Sequence, residues 1–202
     1  MRMVNNFFRS RESLVDRLIS LKEMDSEVYM EFRKKFCIST CAVDGICYDT
    51  LNSLEVFDFV VDTLDQELTV DLIKEYHRIL MKGIVDEKHG LSGCFKKFPI
   101  DTFELGFRTS EPNDVEMDLH KILTTRVDSP KEVCKFHVLF EHICPFQSGN
   151  GIIGRFLMMR QFIQIDKFTL LINDKNSKEY KRSLKTSIAL FSFYNKTGKL
   201  RF

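Results

Sequence analysis

The chain has 202 residues, with 30 Lys and Arg against 29 Asp and Glu for a formal charge of +1. That length favours one domain of ordinary size with a sizeable core, and the near-neutral balance disfavours a protein built to neutralise nucleic-acid phosphate. Hydrophobic residues at 44% and charged residues at 29%, with four prolines and nine glycines, exclude wholesale disorder and collagen-like sequence.

The start, MRMVNNFFRSRESLVDRL, lacks a continuous apolar run of signal-peptide length. No later segment approaches the roughly 18 uninterrupted apolar residues of a membrane helix, so no membrane partner is expected. Leu14, Leu18, Leu21, Val28 and Phe32 keep helical spacing among charges and predict one helix from Glu12 to about Lys34. The stretch CISTCAVDGICYDT, residues 37 to 50, is short on helix formers and carries Asp44-Gly45, a turn or cap signal, which predicts a break. Leu54, Phe57, Val61 and Leu64 form the stripe of a helix over 51–64. Thr69 caps another, through Leu72, Tyr76, Ile79 and Leu80, that Gly83 closes.

Residues 84 to 112 hold three glycines and two of the four prolines and show little helical period. A small β-hairpin is predicted there, its arms being KKFPI (Lys96, Lys97, Phe98, Pro99, Ile100) and the stretch around Phe103. Helix returns from Asp114 to Leu123. Ser129-Pro130-Lys131-Glu132 then supplies an N-cap hydroxyl, a proline at the first helical position and a glutamate three residues after the cap. That helix runs to about Ile143 and buries Val133, Phe136 and Phe140. Pro145 ends it. The loop Cys144 to Gly151 opens the most apolar helix, Ile152 to about Ile165, and a last helix is predicted near Ser177 to Phe193.

Six cysteines raise the question of a disulfide framework, but with no secretory start, reduced cytoplasmic thiols are expected. No CxxC pair occurs, which disfavours structural zinc. His137 and His142 are five apart and lack the i, i+4 spacing of a HExxH site. His137 is expected to be a hydrogen-bonded structural histidine, Cys134 a buried thiol, and Lys175, Lys178, Lys181, Arg182 and Lys185 a solvated basic face.

Packing leaves the Gly149-Asn150-Gly151 turn least explained. A helix N-terminus offers unsatisfied N–H donors and the positive end of the macrodipole, and glycines admit an anion close to the backbone. Phosphate is the natural occupant, and Arg155, one turn further on, offers a charged fork for a terminal phosphate. A tight interhelical turn with a surface arginine is the alternative.

The stretch KFHVLFEHICPFQSGNGIIGRFLMM resembles the core of the Fic family, whose usual pattern is HxxFExIHPFxDGNGRxGR. His137, Phe140, Glu141, Ile143, Pro145, Phe146, Gly149, Asn150, Gly151, Gly154 and Arg155 match in order and spacing. IKEYHRILMKGI, residues 73 to 84, resembles the helix preceding the family's flap, and SGCFKKFPI resembles the flap's G-x-[FY]-R start with Lys96 for Arg. Residues 112 to 123 and Tyr180 also fit, so the likeness covers about residues 38 to 190. It implies a mostly α-helical Fic-type domain over 37–202, with a small β-hairpin flap, behind an N-terminal helical extension over 1–36.

Fic proteins mostly transfer AMP from ATP to a hydroxyl of a target protein, and relatives move other phosphate-bearing groups. The family pattern implies a base at Cys144, a magnesium ligand at Ser148, an anion hole at Gly149, Asn150 and Gly151, and an outer-phosphate arginine at Arg155. Cys144 replaces the base histidine, Ser148 the acidic magnesium ligand and Ile152 the first motif arginine. A cysteine of ordinary pKa, about 8.5, is only a few per cent ionised at neutral pH, and serine is a weak magnesium ligand. Strongly reduced transfer is expected. Thr40 to Gly45 resembles the family's self-inhibitory (S/T)xxxE(G/N) signature, with Asp44 for glutamate, which implies that Asp44 reaches Arg155; an Asp-Gly turn is the alternative. ATP and Mg²⁺ are thus the implied ligands and a target protein the implied partner, with self-association open. Weak adenylyl transfer, a non-catalytic nucleotide-binding or protein-interaction module, and transfer of another phosphate-containing group are the candidate functions.

Overall fold

The computed structural model describes residues 12–44, 50–84, 88–100 and 106–202. Among them the chain is mostly helical, and no helix is long and apolar enough to cross a membrane. The helices are α1 (Leu14–Glu23), α2 (Glu27–Asp44), α3 (Thr50–Asp62), α4 (Val70–Leu80), α5 (Val115–Leu123), α6 (Pro130–Ile143), α7 (Asn150–Gln164), α8 (Ser177–Ser183) and α9 (Ser187–Lys196). Extended chain pairs only at one isolated antiparallel bridge, Leu170 with Lys199, among the described residues.

The most apolar helix of the sequence is the central one. α7 packs against α1, α2, α3, α4 and α6, and Ile152, Ile153, Phe156, Met159 and Ile163 are fully buried. Helix α6 lies between α7 and the outer pair α5 and α9, and a smaller core of Val133, Met158, Phe162, Tyr180, Leu190 and Phe193 forms on its far side. The predicted caps form. Thr69 Oγ1 accepts from Leu72 N at 3.2 Å, and Glu132 answers the Ser129 cap by accepting from Asp128 N at 3.2 Å and Ser129 Oγ at 2.9 Å.

Four predicted elements are corrected. The first helix is two: Asp25 takes a left-handed φ of 48°, and Ser26 N donates back to Leu21 O at 3.0 Å, which closes α1. Helix α2 runs through Cys37 to Asp44 where a break was predicted, because Phe36, Cys37, Thr40, Cys41 and Val43 are all buried. Tertiary burial outweighs weak helix formers. The expected division between residues 36 and 37 therefore falls inside α2, whose Tyr29, Phe32 and Phe36 share one core with Phe57 and Phe156. The last predicted helix splits at Thr186, whose hydroxyl caps α9 through Ala189 N at 3.2 Å. Residues 96–100 form no strand, so the small β-hairpin flap is not seen; the second arm around Phe103 lies outside the described residues.

Candidate functional site

The turn between α6 and α7 is built by side chains that bond backbone. Cys144 ends α6 in the left-handed region, φ 50°, and Gly149 opens α7 in the same region, φ 72°. Asn150, the first residue of α7, closes the loop on both sides of Phe146: its Oδ1 accepts from Phe146 N at 2.8 Å and its Nδ2 donates to Phe146 O at 2.7 Å. The Phe146 ring stacks on His77 of α4 with centroids 3.9 Å apart. That histidine accepts from Gly93 N at its Nδ1, 3.0 Å, so its Nε2 carries the hydrogen and donates to Ser148 O at 3.2 Å. A Cβ at Gly149 would stand 2.3 Å from Met81 Cε, which together with its φ explains the glycine.

The N–H groups of Gly149, Asn150, Gly151 and Ile152 meet no acceptor among the described residues, and Gly149 and Gly151 are half-buried. The Asn150 side chain is spent on shaping the loop, so only its amide is left for a ligand. These are the unpaired donors of a helix N-terminus.

The positions expected to carry chemistry are differently placed. Cys144 is buried, and that burial, with Glu141 nearby, raises its thiol to about 12 despite the Lys96 ammonium. It sits at the carbonyl end of α6, whose negative pole does not favour a thiolate. It is held as the neutral thiol at neutral pH. Ser148 Oγ points to Met81 Sδ at 3.9 Å; a neutral hydroxyl beside a thioether does not suit Mg²⁺, which takes carboxylate and water oxygens. Ile152 is fully buried in the main core.

Arg155 is also buried, 2% exposed, and donates from Nη2 to Thr40 O of α2 at 3.0 Å. Its guanidinium lies near the C-terminal end of α2, where helix carbonyls favour a cation, and 5.9 Å from the Tyr180 ring. The adjacent cavity, lined by Thr40, Arg155 and Leu171 among others, is about 10 Å³, room for one water at most. Thr40 and Arg155 are thus brought together, through a carbonyl; the Asp44 side chain lies outside the described residues. His137 is the structural histidine expected: its Nδ1 donates to Gly154 O at 3.0 Å and its Nε2 accepts from Tyr180 OH at 2.6 Å. A Cβ at Gly154 would stand 2.6 Å from Glu141 Oε1 and 3.1 Å from His137 Cε1, so this motif glycine serves the close approach of α6 and α7.

In the flap segment Lys96 is buried and braced. Its Nζ donates to Thr109 Oγ1 and to Ile143 O, both at 3.2 Å, and its N–H to Pro145 O at 2.8 Å; burial lowers its pKa, partly offset by Cys144 and Glu111. Lys97 N and Phe98 N share Gln147 Oε1 at 3.3 Å, which occupies the amides a docking strand would use. Lys97, Phe98 and Pro99 face solvent and Ile100 is half-buried. His77 and Gln147, which hold loop and flap, carried no signal in the sequence beyond their position beside the motif.

Cys94 is exposed while Cys134 and Cys144 are buried with thiols raised to about 12. Native-state alkylation followed by peptide mass spectrometry should label Cys94 before Cys134 and Cys144, and Cys144 as slowly as Cys134. Rapid labelling of Cys144 would restore it as a base.

The Fic/DOC family model matches residues 67–162, from just before α4 through most of α7, and places a domain of that family there. No curated protein matches the chain. Among solved structures, a Fic-domain-containing signalling protein from Bacteroides thetaiotaomicron VPI-5482 aligns at a TM-score of 0.63 and 16% identity, over 91% of this chain and 90% of that one. A Fic family protein from Desulfovibrio desulfuricans G20 gives 0.63 and 16%, over 89% and 68%. Fic-1 from C. elegans gives 0.57 and 18%, over 90% and 64%. At these identities the likeness is one of fold.

Proposed function

We propose, with a Fic/DOC domain at residues 67–162 as the premise, that the chain is a divergent protein adenylyltransferase. It holds the phosphates of ATP at the 149–151 turn and passes AMP, slowly, to a hydroxyl of a target protein. One observation carries the reading: four successive N–H groups, Gly149 to Ile152, have no acceptor among the described residues and stand at the positive end of α7. In the transfer, the hydroxyl oxygen bonds to the α-phosphorus, the bond from that phosphorus to the bridging oxygen breaks, and pyrophosphate leaves. Cys144 keeps its own proton, so the hydroxyl proton passes to solvent or to a phosphate oxygen. Loss of general-base help costs about 10²–10⁴-fold, while positioning of the phosphates still lowers the barrier. Arg155 reaches an outer phosphate only when Thr40 O gives it up.

A second reading, a nucleotide-binding module without transfer, is favoured by the protonated thiol of Cys144 and by the neutral Ser148. Calorimetry with ATP and AMP, and incubation with several labelled nucleotides and a cell extract, separate the two. Binding with slow labelling that rises at least about 10²-fold in the Cys144→His, Ser148→Asp, Ile152→Arg triple variant supports transfer. Binding without labelling supports the module, and absence of binding removes both readings. Asp44→Ala should strengthen ATP binding more than AMP binding, and equal affinities in variant and parent would end the self-inhibitory reading of Thr40 and Asp44.

A further inference from the structure

We propose that the groove between α5 and α6 binds a short acidic segment of a partner protein that carries one apolar side chain. α5 turns Lys121 and Ile122 into this groove, Thr125 follows just past its end, and α6 turns Lys135, Leu139 and Ile143, so both helices line one opening of about 540 Å³. That volume lies within the range of ligand-binding clefts. Ile122 and Ile143 are buried and Leu139 half-buried, which gives an apolar floor. Residues 108–110 cross one end, where Ser110 N donates to His142 O at 3.2 Å and Ser110 Oγ to Asp118 at 2.7 Å.

Charge selects the occupant. Arg108, Lys121 and Lys135 against Asp118 leave the lining at 3 − 1 = +2, His142 not counted, more than the +1 of the whole chain. Asp118 is committed, accepting from Ser110 and from Lys121 Nζ at 3.0 Å, which neutralises that lysine. Arg108 and Lys135 are exposed and have no ion-pair partner among the described residues. They also stand apart: Arg108 belongs to the segment bonded at His142, and Lys135 lies seven residues, about 10 Å of helix rise, back along α6. An extended segment of about three residues spans that length, offering an acidic group to each cation and an apolar side chain to the floor between them.

The groove is tied to the motif loop, since Lys96 Nζ bridges Thr109 at its rim and Ile143 O, one residue before Cys144. Its occupancy nevertheless stands independently of nucleotide transfer and is tested without nucleotide. Fluorescence anisotropy with a labelled, capped Glu-Leu-Glu peptide should show saturable binding that weakens as salt rises. Arg108→Gln with Lys135→Gln should weaken it about tenfold or more, and Leu139→Glu should do the same from the floor; both variants keep the parent's thermal midpoint as a check on folding. Capped Lys-Leu-Lys should not bind and Glu-Gly-Glu should bind more weakly. The proposal is overturned by no binding up to about 10 mM, by equal binding of the basic peptide, or by unchanged affinity in the double variant. Competition by glutarate as effective as by the peptide would also overturn it, assigning the groove to a small dicarboxylate.

Discussion

Replacing Arg160 with methionine should destabilise the fold by about 1–3 kcal/mol, a fall in melting midpoint of roughly 2–10 °C. This arginine is fully buried in α7. Its Nη1 donates to Thr63 O at 2.6 Å and to Tyr76 OH at 3.0 Å, and its Nη2 donates to Gln66 O. The acceptors explain the size of the effect. Thr63 Oγ1 and Tyr76 OH still bond each other at 2.8 Å when the guanidinium is gone, and Thr63 O keeps the Gln66 N–H at 3.1 Å, but the part-buried Gln66 carbonyl, in the turn that follows α3, would lose its donor. An unsatisfied buried carbonyl costs about 1–3 kcal/mol. Against this, burying the charge is itself unfavourable, and Arg160 Nε has no partner among the described residues. Urea unfolding of the variant measures the balance. A loss below about 1 kcal/mol would mean that water serves the Gln66 carbonyl.

How far the sequence could reach is seen in the same helices. Capping chemistry is local, so Ser129 with Glu132, and Thr69, were readable from four-residue patterns and form as read. The motif from His137 to Arg155 was readable as a pattern too, and Gly154 and His137 prove to be packing devices within it. What local pattern could not supply was burial. Cys144 and Arg155 look reactive by spacing, yet Cys144 is sealed at the end of α6 and Arg155 is held by Thr40, 115 positions earlier in the chain. The run of α2 through Cys37 and Cys41 depends likewise on the face that α3 and α7 give it. The break at Asp25 has no glycine to mark it, because aspartate also tolerates the left-handed conformation.

Between about pH 6.5 and pH 3 the fold should lose stability through His137 at up to about 1.4 kcal/mol per pH unit, and His137→Asn should flatten that slope. The ring is fully buried, and burial, together with the Arg155 cation, lowers its pKa to about 3. The Gly154 carbonyl, which accepts from Nδ1, opposes the shift only in part. In the unfolded chain the same imidazole titrates near 6.5. Above that value both states hold it neutral and pH has no leverage here. Below it the unfolded chain binds a proton that the folded protein refuses, so unfolding is favoured until the folded ring also protonates near 3. Stability is thus present above the unfolded pKa and drains as pH falls. Nε2 already accepts from Tyr180 OH, so protonation would also turn that contact into two facing donors unless the phenol rotates. The Glu141 carboxylate lies 3.6 Å from Nε2, but the folded ring is already neutral above about pH 3, so Glu141→Gln should leave the His137 slope unchanged down to pH 4. Urea midpoints measured from pH 7 to pH 4 for the parent, His137→Asn and Glu141→Gln read these slopes. Parallel curves for the parent and His137→Asn would show that His137 takes up no proton on unfolding and that surface carboxylates alone set the acid limit.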